Sequence, residues 1–153
     1  MNHSGMTLIV KNTARLVSGF ITVFGIYIAL TGHLTPGGGF AGGVILAAAA
    51  ALVVLSFGRE SSSKLITGPA CHVADAAGAL AFLVVALLGY LAGDFFINFV
   101  PLGQRHHLAS GGAIPLSNLA ILIKVGAGLA GAFLALSAFR LAPRPDLTGG
   151  EEL

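Results

Sequence analysis

Four long apolar runs constrain how this 153-residue chain can fold. They cover residues 16–30, 40–57, 70–93 and 116–139, and the first can be extended back to Met6. A helix of roughly 20 apolar residues crosses a bilayer core of about 30 Å. Only 9% of the residues are charged, whereas soluble domains have about 25%. The sequence therefore predicts an all-α membrane protein, with one four-helix transmembrane domain over residues 1–142 and a disordered tail over residues 143–153.

Basic residues are distributed unevenly among the segments that connect these runs. Only Arg105 lies in the loop before the fourth run, and the first loop has no basic residue. The opposite side carries six: Lys11, Arg15, Arg59, Lys64, Arg140 and Arg144. Because cytoplasmic loops of membrane proteins are enriched in lysine and arginine, we expect both termini to be cytoplasmic. The net charge of +2 is too small to suggest a nucleic-acid partner.

The loop between the first two runs is rich in residues that break helices. Residues 31–43 read Thr-Gly-His-Leu-Thr-Pro-Gly-Gly-Gly-Phe-Ala-Gly-Gly. Proline removes a backbone donor, and glycine has the most conformational freedom to lose when it becomes ordered. Freed carbonyls and amides are tolerated at membrane depth only where they meet water, an ion or protein. We therefore expect this segment to line the entrance of an ion path or to contact a partner chain, through His33, Thr35, Pro36, Gly37, Gly38, Gly39 and Phe40.

Asp75 and Lys124 are the two ionisable residues inside the predicted spans that are candidates for a chemical role. A lysine at such depth costs at least ~2.5–3.5 kcal/mol, so Lys124 needs water, a carboxylate or carbonyls. Counting residues from each end separates the two by roughly 10 Å in depth, which makes a direct pair look strained. The predicted partners of Lys124 are carbonyls of the glycine-rich segment, Asp94, or a carboxylate of another subunit. We expect Lys124 to face the interior or a partner helix near the glycine-rich segment and to act on ion passage, and Asp75 and Asp94 are further candidates for the ion path or an interface. The alternative is a lysine that extends to the outer headgroups and only anchors the helix.

The remaining polar residues do not form a recognisable catalytic or metal site. His33 is able to relay a proton near neutral pH, whereas His106 and His107 are expected to face water. His72 and Asp75 are three residues apart and share a helix face. The sequence has no histidine pair at metal-ligand spacing, no nucleophile with its base and no phosphate loop, and its single cysteine excludes an internal disulfide. No enzymatic activity, metal or cofactor is predicted.

Small residues are spaced for close contacts between helices. Glycines recur at GxxxG spacing at 39 and 43 and at 89 and 93, and glycines 126, 128 and 131 line the fourth run. Small residues let helix backbones approach each other in a membrane. The 22 glycines therefore favour tight packing, within this bundle or against partners.

Residues 32–43 resemble the signature Gly-His-x-x-Pro-Gly-Gly-Gly-Phe-x-Gly-Gly of the MnhB/MrpB family, found in the Mrp/Mnh multisubunit sodium/proton antiporters. The sequence leading to it is similar as well, and the likeness is strong from about Met6 to Gly58. It is looser afterwards, where Ser110-Gly111-Gly112 and the glycine-rich fourth run fit the general plan. Lys124 stands where many members have an acid shortly before a glycine. That departure fits a branch that serves related membrane-bound hydrogenase-type or respiratory assemblies.

The resemblance implies an accessory subunit of a complex that exchanges sodium ions for protons across the plasma membrane, the inner membrane of a prokaryote. Its partners would be other membrane subunits, the lipid bilayer, sodium ions and protons. The subunit would complete a cation path or hold the assembly together. A purely structural adaptor of a hydrogenase-type or respiratory complex is the alternative. An independent four-helix transporter is less favoured, because no inverted repeat is visible.

Overall fold

The computed structural model describes residues 6–58, 62, 66–101 and 110–139. Within these ranges it contains four α-helices, each long and apolar enough to cross a membrane, and no strand. The prediction of an all-α, four-helix membrane protein is confirmed. Arg59, Lys64, Arg105, His106, His107, Arg140, Arg144 and the predicted tail 143–153 lie outside the described residues. The helices are α1 (Leu8–Leu30), α2 (Gly38–Phe57), α3 (Gly68–Leu88, extended by a 3-10 turn over Gly89–Ala92) and α4 (Ile114–Phe139).

Local sequence explains where the helices begin. Thr67 precedes α3, and its side chain accepts a hydrogen bond from the Ala70 N–H at 3.3 Å, with Pro69 in the first turn. Helix α1 begins eight residues before the apolar run predicted from residue 16, so it includes Lys11 and Arg15. The Arg15 guanidinium carbon lies 5.4 Å from the centroid of the Phe57 ring, at the far end of α2. This cation–π contact and the long aliphatic part of the side chain make the charged Arg15 tolerable near the N-terminal end of α1.

The helices pack in the order α1, α2, α4, α3. Helix α2 lies between α1 and α4, α3 packs against α4, and α1 touches α4 only slightly. Each main contact includes a glycine. A Cβ on Gly42 would lie 2.6 Å from the Gly25 carbonyl oxygen of α1, and one on Gly43 would lie 3.0 Å from the Gly126 backbone nitrogen of α4. The prediction of close packing at small residues is confirmed at these positions. Gly93 has open space around it within the described residues, so packing of Gly93 against a partner stays a prediction.

A cluster of buried residues that joins three helices lies toward one end of the bundle. Val54, Cys71, Ala130 and Leu134 join α2, α3 and α4 where the chain is predicted to face the cytoplasm. Most large apolar side chains are exposed instead, including Phe20, Leu80 and Leu136. Large apolar side chains on the surface are expected of a protein surrounded by lipid and by other membrane chains.

Candidate functional site

The glycine-rich segment begins with a compact turn at the end of α1. The backbone N–H groups of Leu34 and Thr35 donate to the Thr31 carbonyl oxygen at 2.8 and 2.9 Å. The Thr31 hydroxyl donates to the Tyr27 carbonyl oxygen at 2.8 Å, and the Thr35 hydroxyl donates to the Thr31 carbonyl oxygen at 3.1 Å. The two hydroxyl groups therefore reinforce the turn, because they bond to carbonyl oxygens that backbone N–H groups also reach.

Two consecutive glycines then redirect the chain into α2. Gly37 has φ 146° and Gly38 has φ 85°, a region that side chains with a Cβ rarely adopt. Pro36 and Gly37 are exposed, whereas Gly38 and Gly39 are buried against α4. Only glycine meets both requirements, because the backbone must reverse and must also approach a neighbouring helix closely. The run of three glycines thus sets the geometry of this corner.

Asn118 of α4 is the residue that receives this corner. The Gly39 backbone N–H donates to Oδ1 of Asn118 at 3.3 Å. A Cβ on Gly39 would lie 2.8 Å from the Asn118 carbonyl carbon, and one on Gly32 would lie 2.8 Å from Nδ2 of Asn118. Nδ2 is buried and has no hydrogen-bond partner within the described part of the chain. Asn118 was not among the residues predicted from the sequence, although a lone asparagine in an apolar helix is a signal that could have identified it.

The side chains of His33 and Phe40 have different surroundings. His33 is half-buried, and a Cβ on Gly111 would lie 3.0 Å from Cγ of its ring, so the imidazole packs against the loop that leads into α4. The Phe40 side chain is 64% exposed at the start of α2. His33 therefore contacts its own chain, whereas the Phe40 side chain faces the surroundings of the subunit.

A small apolar cavity adjoins this corner on the α3 side. It has a volume of about 160 Å³ and lies between the loop after α3 and the start of α4. Asn98 holds that loop in place, because its Oδ1 accepts hydrogen bonds from the Ala113 N–H at 2.9 Å and from the Val100 N–H at 3.3 Å. The cavity is lined by Val85, Phe96, Ile97, Asn98, Gly111, Ala113, Ile114 and Ser117.

The structure pairs Lys124 with Asp75, so the expectation that a direct pair would be strained is wrong. Nζ of Lys124 donates to Oδ1 of Asp75 at 3.0 Å. Asp94 is exposed in the loop beyond α3, and its carbonyl oxygen accepts a hydrogen bond from the Ile97 N–H. No hydrogen bond joins His72 to Asp75 among the described residues. The same part of the chain contains no cluster of histidine, cysteine or carboxylate groups able to hold a metal ion.

The alignment of α3 and α4 explains why Asp75 and Lys124 lie closer in depth than predicted. Counting from the two helix ends ignored how α3 and α4 are aligned. A Cβ on Gly78 would lie 2.6 Å from the Lys124 backbone nitrogen, so Gly78 and Lys124 are at the same level. Asp75 is three residues from Gly78, an axial distance of about 4.5 Å, which a lysine side chain spans easily. The carboxylate lies beside Gly128, where a Cβ would be 3.4 Å from Oδ1 of Asp75.

Comparison with known proteins identifies the family. A family model described as "Domain related to MnhB subunit of Na+/H+ antiporter" matches residues 9–131, which include the glycine-rich corner and the Asp75–Lys124 pair. The chain belongs to the MnhB family. The resemblance seen in residues 32–43 is thereby confirmed over most of the chain.

Relatives of this MnhB-family chain come from archaea and bacteria. An uncharacterized protein of Methanocaldococcus jannaschii is 35% identical over 86% of this chain, and a Na(+)/H(+) antiporter subunit of Bacillus subtilis is 37% identical over 50% of it. The matches span about half of those two relatives, 52% and 53% of their lengths. A Staphylococcus aureus protein named "Putative antiporter subunit mnhB2" is 27% identical over 87% of this chain, and the match covers 96% of that protein.

A solved structure shows the same fold in a larger assembly. A chain of the membrane-bound sulfane sulfur reductase, an archaeal respiratory membrane complex, superimposes with a TM-score of 0.74 at 32% sequence identity. The match covers 89% of this chain and 60% of that one. The fold of this chain therefore also occurs in a respiratory membrane complex.

Proposed function

We propose that this MnhB-family chain is an accessory membrane subunit of a multisubunit cation/proton antiporter in a prokaryotic plasma membrane, where it contributes to the sodium/proton path or to its assembly. The observation that carries the proposal is the family match over residues 9–131, together with relatives named as antiporter subunits. In this role the subunit takes part in transport or assembly and does not catalyse a reaction. Its partners are other membrane subunits, and the transported species are sodium ions and protons.

The glycine-rich corner supports a role at the boundary between two subunits. The close contacts of Gly38 and Gly39 with Asn118 fix the start of α2, and the neighbouring Phe40 side chain is 64% exposed. An aromatic ring held on a rigid corner presents a large contact area without losing much conformational entropy on binding. We therefore assign Phe40 to the contact with a neighbouring subunit, and the buried glycines to holding it there.

A structural adaptor in a respiratory complex is the second candidate, favoured by the likeness to a chain of the sulfane sulfur reductase complex. In that role the subunit would hold the membrane subunits of the complex together, and its loss would impair the redox activity of that complex. In the antiporter role its loss impairs sodium-dependent proton movement. The two candidates therefore differ in the activity that disappears with the subunit.

The test removes the gene from its host and restores it on a plasmid. Everted membrane vesicles are energised, and a pH-sensitive dye reports the collapse of the proton gradient when sodium is added. We expect deletion to abolish the sodium response and the plasmid to restore it. A sodium response that survives deletion, with loss of a respiratory activity instead, selects the adaptor role.

A point substitution tests the assignment of Phe40 within the same assay. Phe40→Ala should lower both the amount of assembled complex and the sodium response, while the chain still enters the membrane. Phe20→Ala is the matched control, because Phe20 is 70% exposed on α1 and lies outside the corner. Equal effects of the two substitutions would remove any special role of Phe40.

A further inference from the structure

The Asp75–Lys124 pair lies at mid-membrane depth on an incompletely covered face. Lys124 is ten residues from the start of α4 at Ile114, and Gly78 beside it is ten residues from the start of α3 at Gly68. At 1.5 Å per residue both are about 15 Å from a helix end, near the middle of a core of about 30 Å. Yet 48% of the Lys124 side chain and 40% of the Asp75 side chain are exposed in the subunit.

The described part of this chain does not complete the pair's hydrogen bonding. The ammonium group has three donors and uses one on Oδ1 of Asp75, and the second carboxylate oxygen has no hydrogen bond among the described residues. Of the four described helices, only α4 packs closely against α3, and the side chains of the pair stay 48% and 40% exposed. The residues beside the pair, Gly78 and Gly128, have no side chains to offer.

Lipid is a poor neighbour for such a pair. Charged side chains within transmembrane segments almost always face the bundle interior or a water-filled cavity. The direct contact makes the pair neutral overall but leaves its free donors and acceptor without partners, and hydrocarbon cannot supply any. A face of this kind must be covered by a group that forms hydrogen bonds.

From this geometry we infer that the α3–α4 face around Asp75 and Lys124 is a contact surface for a transmembrane helix of a partner subunit, which presents an uncharged hydrogen-bonding side chain at mid-membrane depth. The inference rests on the proposed role as a subunit of a larger membrane complex and specifies where one partner binds. An asparagine, glutamine, serine or threonine fits because the pair is already neutral. A further carboxylate or base would leave a net charge in the membrane.

The first experiment replaces the pair by apolar groups of the same shape. Leucine matches aspartate and methionine matches lysine, so Asp75→Leu/Lys124→Met removes both charges and keeps the volume. Replacing a self-contained ion pair in this way is often neutral or stabilising. A partner's buried polar group, by contrast, loses its hydrogen bonds. We expect the double variant to reach the membrane at normal levels, with the assembled complex lowered about tenfold or more.

The second experiment reports what surrounds the face in the assembled complex. In a Cys71→Ala background, a spin label on Ala79→Cys lies one turn beyond Asp75 on α3. Molecular oxygen, which concentrates in lipid, and a water-soluble nickel chelate are the two collision partners. We expect the label to be shielded from both, as beneath a protein helix. Contact with oxygen would show a lipid-facing surface and contact with the chelate a water-filled path, and either overturns the inference.

Three variants separate the possible failures. Leu80→Met, on an exposed position of the same helix, is the matched control and should leave assembly unchanged. A double variant that assembles normally overturns the inference, whether or not it transports ions. If deletion of the whole subunit affects neither assembly nor sodium response, the proposed function fails instead.

Discussion

The Gly39 backbone N–H donates a hydrogen bond to Oδ1 of Asn118 at 3.3 Å, across 79 residues of sequence. This bond ties the glycine-rich corner to the beginning of α4. It is partly buried, so water cannot readily replace the acceptor. The position of the corner, and with it that of Phe40, therefore depends on one side-chain amide.

Asn118→Leu removes that acceptor while keeping a side chain of similar size. A buried N–H left without a partner costs about 1–3 kcal/mol. We expect the purified complex to release this subunit at a lower temperature than the wild type. Ser117→Ala is the control, because the Ser117 hydroxyl bonds to the Ala113 carbonyl oxygen one turn earlier on its own chain. Equal thermal behaviour of the two variants would mean that the Asn118 amide does not hold the corner.

Gly39→Ala tests the close approach of α2 to α4. Its Cβ would lie 2.8 and 2.9 Å from the carbonyl carbon and Cα of Asn118, which are backbone atoms that cannot rotate away. Overpacking of this kind costs about 1–3 kcal/mol or more. We expect the level of assembled complex to fall, as judged by native gel electrophoresis of solubilised membranes.

Gly68→Ala is the matched control for that substitution, since nothing lies within 4 Å of a Cβ at Gly68. It should leave the complex at its normal level. If Gly39→Ala assembles as well as Gly68→Ala, the corner is wider than the structure indicates.

Single substitutions in the ion pair should be worse for the chain itself than the double one. Asp75→Leu alone leaves an unpaired ammonium in the membrane, and Lys124→Met alone leaves an unpaired carboxylate. We expect each to lower the membrane-inserted chain at least about fivefold. Asp75→Leu/Lys124→Met should restore it, and Lys124→Arg, which keeps the charge, should stay near wild type. Immunoblots of carbonate-washed membranes measure the inserted chain. Additive losses in the double variant would contradict a direct pair.

The orientation in the membrane remains a prediction from the basic residues. In a Cys71→Ala background, Met6→Cys lies at the N-terminal end of α1 and Asp94→Cys lies beyond α3, and both positions are exposed. A thiol reagent that does not cross membranes should label Asp94→Cys in intact cells and Met6→Cys only in everted vesicles. The reverse pattern would place the glycine-rich corner on the cytoplasmic side.

The four helices were predictable, but their alignment was not. Apolar runs near 20 residues specify membrane spans because of the thickness of the bilayer alone. Hydropathy does not report the relative height of two helices, and the prediction therefore placed Asp75 and Lys124 too far apart to pair. That height is set by which glycine meets which backbone, here Gly78 against Lys124. Likewise, Gly37, Gly38 and Gly39 indicated an unusual corner, but only the fold identified Asn118 as its acceptor.

The central claim is that this chain functions within a larger membrane complex, and purification tests it most directly. An affinity tag on the 15.4 kDa chain, expressed from its own locus, allows the chain to be isolated in mild detergent with whatever binds it. We predict a single species many times heavier than the chain, which contains other membrane subunits and gives sodium-dependent proton exchange when reconstituted into liposomes. A monodisperse chain without partners, stable in detergent and present in the same cells that show antiport, would contradict the account.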